Sequence, residues 1–124
     1  GIYTVECGMF DKIIANDVLE HIPDLVKAMT NCKDLLRDGG EFHIHVPYDL
    51  SFGAWQDPTH VRAFNERSWL YYTEWHWYLN WKDRFYMKEL VFNANPDMDV
   101  PAEALPYTPR AVDSMSVILV KGNG

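Results

Sequence analysis

The stretch F-D-K-I-I-A-N-D-V-L-E-H-I-P-D, residues 10–24, decides the fold. Within it, residues 11–15 (D-K-I-I-A) read as a short buried strand closed by Asn16-Asp17. Pro23 suits the first turn of a helix, where its missing N–H costs nothing, and Leu25, Met29, Cys32 and Leu36 then recur at steps of four, three and four. That spacing predicts one apolar stripe on a helix running to about Arg37. Asp38-Gly39-Gly40 stops it, and residues 41–46 (E-F-H-I-H-V) predict a second strand ended by Pro47. Strand, helix, glycine turn and strand make a β-α-β unit, whose connection is long enough only for parallel strands joined by a crossover. In such α/β sheets ligands bind outside the carboxyl ends of the strands, here residues 16–21 and 47–60.

Outward from this unit, residues 2–6 (I-Y-T-V-E) form a further strand candidate ahead of a short C-G-M link. Asn65 is a suitable N-cap for a helix through E-R-S-W-L-Y-Y-T-E-W-H. Residues 84–93 and 114–121 read as strands. Between them, residues 95–109 hold four of the seven prolines and no period, so they read as a loop, and the two strands are expected to pair antiparallel across it.

The totals exclude several classes. The 124 residues are 48% apolar and 15% aromatic, enough for one core, so one domain over residues 1–124 is expected, with residues 1–9 as an arm or strand. A net charge of -7 with no local run of Lys and Arg argues against nucleic acid as a partner. Cys7 and Cys32 have no metal-type or redox-type spacing, which suits a reducing, cytoplasmic compartment. No apolar run approaches a membrane span and the start has no signal-peptide pattern, so no membrane partner is expected.

Three motifs in order, residues 10–24, L-L-R-D-G-G-E-F-H-I-H-V-P and D-P-T-H-V-R-A-F-N-E-R-S-W, resemble the second half of a class I S-adenosylmethionine-dependent methyltransferase. The resemblance covers residues 10–69 at motif level, and the final strand pair agrees with that family's last two strands. It implies a partial Rossmann-like sheet of β-α-β, helix and antiparallel pair, with S-adenosylmethionine as cofactor and Asn16, Asp17, Val18 and Leu19 against it. Arg37-Asp38-Gly39-Gly40 stands where the family has Lys-Pro-Gly-Gly, a tolerable change because the glycines do the turning. The family's glycine-rich loop and the acidic residue that holds the ribose would precede Phe10, where nine residues stand. The isolated chain is therefore expected to bind cofactor weakly or not at all. The resemblance also implies a central position for the strand over residues 11–15, so its edge is expected to be covered by residues 2–6 folding back or by a symmetric copy of the chain.

Asp17, Glu20 and His21 stand at i, i+3 and i+4, so one helical turn would aim all three to one side, and Pro23 biases Ile22 away from helix and separates that turn from the main helix. His60, from D-P-T-H, can converge on them. Two carboxylates and two imidazoles suit Mg, Mn, Fe or Zn. The set is similar to the E-x-x-E-H plus later His of small-RNA 2′-O-methyltransferases and to the E-x-x-E-H of ubiquinone-pathway O-methyltransferases, in which a divalent metal serves the hydroxyl to be methylated. Alternatively Glu20 and His21 bond the loop and line the cofactor's methionine end, or His21 or His60 acts as general base. His43 and His45 share one strand face, a spacing open to metal ligation or to simple hydrogen bonding. Trp69, Tyr71, Tyr72, Trp75, Trp77, Tyr78 and Trp81 surround a helix on all sides, so part of them must meet a lid, a dimer interface or a thick core.

Together these readings predict methyl transfer to a small-molecule or sugar-like oxygen or nitrogen acceptor, with a homodimer or edge-to-edge association as the expected assembly. The alternative is a non-catalytic dimerising remnant with the same fold.

Overall fold

Phe10–Asn16 forms strand β1 and Leu25–Leu35 forms helix α1 in the computed structural model, which describes residues 8–123. Strand β2 follows as Leu36–Pro47, then a short helix α2, Phe52–Gln56, and the strands β3, Asp83–Ala94, and β4, Val112–Asn123. The sheet order is β1-β2-β4-β3, with β1 and β2 parallel and the other pairs antiparallel. The chain is thus a mixed α/β fold, and the parallel crossover and the antiparallel closing pair agree with the sequence. The strand candidate over residues 2–6 lies outside the described residues.

Helix α1 starts at Leu25 because Asp24 caps it, its Oδ1 accepting the Lys27 N–H at 3.1 Å. Pro23 therefore lies just ahead of the helix and not in its first turn. Met29 and Leu36 of the apolar stripe are fully buried, and Leu25 and Cys32 pack beside them. The helix ends at Leu35, two residues short of the expected Arg37, since Leu36 already pairs with Phe10. Residues 37–40 then bulge out of the ladder, which resumes at Lys12 and Glu41. Gly39 has φ +82°, and a Cβ on Gly40 would sit 2.9 Å from the Arg37 carbonyl oxygen and 3.1 Å from that of Phe10. The glycine turn is real, but it is a bulge inside a strand.

One sheet face carries the core. Phe42, Ile44 and Val46 of β2 and Met115, Val117 and Leu119 of β4 are buried there with Trp69 and Tyr72. The alternate residues leave the other face accessible: Ile14 is 66% exposed, and His43, His45, Ser114 and Ser116 are half-buried.

The aromatic segment departs from expectation. Asn65 caps as anticipated, accepting the Arg67 N–H and giving its own N–H to Ser68 Oγ, both at 2.9 Å. The segment it starts is two 3-10 turns, Glu66–Tyr72 and His76–Leu79, in place of one α-helix. Trp69, Tyr72 and Trp81 enter the core, whereas Tyr71, Trp77 and Tyr78 stay exposed. The loop expected over residues 95–109 likewise contains a 3-10 turn, Ala102–Tyr107.

Candidate functional site

The carboxyl ends of β1 and β2 stand side by side, tied by the Asp17 N–H to the His45 carbonyl at 2.9 Å. Asp17 then takes a left-handed conformation, φ 57°, which a short polar side chain tolerates. This reversal overturns the expectation that Asp17, Glu20 and His21 share one helical turn. Only Leu19–His21 is helical, a single 3-10 turn, and extended Ile22 separates it from α1 as anticipated. The Asp17 carboxylate instead accepts from His45 Nδ1 at 2.8 Å. His45 Nε2 meets Ser114 Oγ at 2.9 Å, and Asn93 Nδ2 donates to Ser114 and Ser116 at 3.0 and 3.1 Å. Asp17 thus leaves the expected ligand set and becomes one end of a polar chain across four strands. His43 does not join His45, because its Nε2 bonds Glu41 at 2.8 Å. Of the four residues expected against a cofactor, Asn16, Asp17 and Val18 form an exposed shelf, while Leu19 is 3% exposed and belongs to the core.

Glu20, His21 and His60 do converge: one ligand atom from each lies within 4.8 Å of the others. Their meeting is organised by the loop after α2. Val61 N–H donates to the Glu20 carbonyl at 2.8 Å, and the Arg62 guanidinium bonds the carbonyls of Leu19, Ile22 and Pro23. The two rings touch edge to face, 4.7 Å between centroids.

The hydrogen-bond network assigns both tautomers. Thr59 Oγ1 lies 2.7 Å from Asp57 Oδ1, which the Thr59 N–H also reaches at 2.9 Å. These two bonds hold the Asp57 carboxyl below its ordinary range. The threonine hydrogen being spent on Asp57, its oxygen accepts from His21 Nδ1 at 3.0 Å. His60 Nδ1 donates to the Ala54 carbonyl at 3.1 Å. Each imidazole is left with a bare Nε2. That of His60 lies 3.5 Å from Asp57 Oδ2, too far to bond while neutral and close enough to meet a proton on it. Glu20 is 1% exposed, and neither carboxylate oxygen has a hydrogen-bond partner in the protein. A buried group so placed costs stability unless something completes it.

A family model described as a methyltransferase domain matches residues 4–94. The chain belongs to the methyltransferase domain family. Among solved structures, an Archaeoglobus fulgidus SAM-dependent methyltransferase superposes with a TM-score of 0.66 at 15% identity, over 94% of this chain and 62% of that one. A chain of the complex between the Haloferax volcanii Trm112 methyltransferase activator and a methyltransferase gives 0.65 at 14% identity, over 99% and 58%. A Listeria monocytogenes S-adenosylmethionine dependent methyltransferase gives 0.63 at 12% identity, over 98% and 65%. This methyltransferase domain thus spans about three fifths of the length of these neighbours, and they share its fold. No curated protein matches the sequence.

Sequence reasoning found three members of the cluster and missed Asp57, Thr59 and Arg62. All three lie in or beside D-P-T-H-V-R, so the signal was proximity to His60, but their roles depend on which hydroxyl and carbonyl each meets. Among the described residues, no helix is long and apolar enough to cross a membrane.

Proposed function

We propose that this domain serves S-adenosylmethionine-dependent methyl transfer to an oxygen or nitrogen of a small or sugar-like acceptor. The observation that carries the reading is the pair of bare imidazole nitrogens at the carboxyl end of β1, in a methyltransferase domain. When bound, the cofactor supplies a methyl group on a sulfonium, whose transfer needs alignment above all. The exposed shelf of Asn16, Asp17 and Val18 fits a cofactor lying across the strand end. His60 or His21 would accept the acceptor's proton at Nε2 as the acceptor oxygen or nitrogen takes the methyl carbon and the carbon–sulfur electron pair returns to sulfur. For His60, the Asp57 carboxylate supplies the counter-charge, and the bond to Ala54 keeps the ring oriented.

The same three residues fit a divalent cation. Glu20 offers an unsatisfied carboxylate and the histidines offer Nε2, each with its other nitrogen already held by the surrounding loop, a usual support for imidazole ligands. Such a cation would acidify and orient an acceptor hydroxyl.

The test is His60→Gln and His21→Gln, each assayed for methyl transfer and for S-adenosylhomocysteine affinity with and without manganese. The reading expects the rate to fall about 10²-fold or more for the proton acceptor, with affinity retained. Unchanged rates in both variants would reject the role given to these imidazoles. If manganese changes neither rate nor affinity, the cation is rejected and the base retained.

A further inference from the structure

The segment holding the two 3-10 turns leaves four aromatic rings outside the core, and these rings touch in a row, Trp75 to Tyr71 to Tyr78 to Trp77. Tyr71 and Trp75 stand 5.3 Å apart between centroids at 78°, Tyr71 and Tyr78 5.6 Å apart at 62°, and Trp77 and Tyr78 6.1 Å apart at 77°. Together they line a cavity of about 260 Å³. Tyr71 is 41% exposed, Trp77 66% and Tyr78 65%, so much of this aromatic surface faces water.

The arrangement selects what can fill it. Walls set nearly at right angles give a flat ligand one ring to stack on, whereas a compact tetrahedral group meets several at once. The volume lies below the roughly 300–1,000 Å³ of pockets for drug-sized ligands, which suits a headgroup. The faces of aromatic rings carry partial negative charge and attract cations. One wall already does so: the Arg67 guanidinium carbon lies over the Trp75 ring at 5.8 Å. The chain as a whole carries a net charge of -7, which favours a cationic ligand again.

We propose that Tyr71, Trp75, Trp77 and Tyr78 bind a small quaternary ammonium ion. The ring faces that open to the cavity hold the positive charge through their quadrupoles, the methyl groups displace water from apolar surface, and no formal anion lines the cavity. The proposal does not rest on the methyl-transfer reading, since none of its residues belongs to the Glu20–His21–His60 cluster.

The experiment is a titration of the 124-residue chain with choline, followed by tryptophan fluorescence and calorimetry, beside its uncharged isostere 3,3-dimethylbutan-1-ol. Choline is expected to bind saturably, with the isostere about tenfold weaker because it keeps the shape and loses the charge. Trp77→Ala and Tyr78→Leu are each expected to abolish binding; both side chains are exposed, and circular dichroism should confirm an intact fold. Equal binding of the isostere would overturn the proposal in favour of a plain apolar surface. So would the absence of saturation with choline, or its full retention in Trp77→Ala.

Discussion

Glu20 is held where folding alone gives it no reward. Its own carbonyl accepts from the Val61 N–H and that of Leu19 from the Arg62 guanidinium, yet both Glu20 side-chain oxygens are buried without a partner. Replacing such a group by an apolar one of similar size removes a desolvation cost. Glu20→Leu is therefore expected to raise the stability of the metal-free chain by about 1–3 kcal/mol in chemical denaturation. A loss of stability would mean that Glu20 is structural. Asp17 carries the complementary lesson. The spacing of Asp17, Glu20 and His21 was legible in the sequence, but the sign of φ at Asp17 was not, and it alone sends that carboxylate to His45. The tautomers of His21 and His60 were equally hidden, because they follow from where Thr59 and Ala54 fall after folding.

At the scale of elements, the bulge in β3 shows how local irregularity places charge. Met87 pairs with Leu119 and Glu89 with Ile118, so Lys88 is the extra residue. Its ammonium reaches Glu41 of β2 at 2.6 Å, and His43 meets the same carboxylate at 2.8 Å. The Lys88 bond first, and the His43 bond after it, lower the Glu41 pKa to about 2. A carboxyl depressed in the folded state stabilises fully above its ordinary pKa of 4.5 and loses that contribution as pH falls toward 2. Stability in chemical denaturation followed by circular dichroism should thus fall as the pH drops from 4.5 toward 2, and Lys88→Ala should flatten that dependence. An unchanged acid profile would contradict the pairing. The β-α-β unit itself was legible, since the apolar steps of four and three from Leu25 through Met29 to Cys32 reflect burial of one helix face, while Leu36 is buried as the first residue of β2. The aromatic segment was not: a spacing of three or four suits a 3-10 turn as well as an α-helix, and the Asn65 cap starts either.

For the whole molecule, the sheet has one edge whose state matters to assembly. Among the described residues β1 pairs only with β2, and Met9, Phe10 and Ile14 are 58%, 42% and 66% exposed along it. An accessible apolar strand edge invites pairing with another chain. Sedimentation of the 124-residue chain is expected to show concentration-dependent association that Ile14→Lys abolishes; a monomer at all concentrations would reject association through this edge. In the function proposed, the carboxyl ends of β1 and β2 form the chain's share of a cofactor site. Its most direct test is an amide NMR titration of the chain with S-adenosylhomocysteine. Weak binding is expected, with shifts concentrated in residues 16–21 and 57–62; no shifts there up to the solubility limit, or shifts confined to other elements, would rule such a site out.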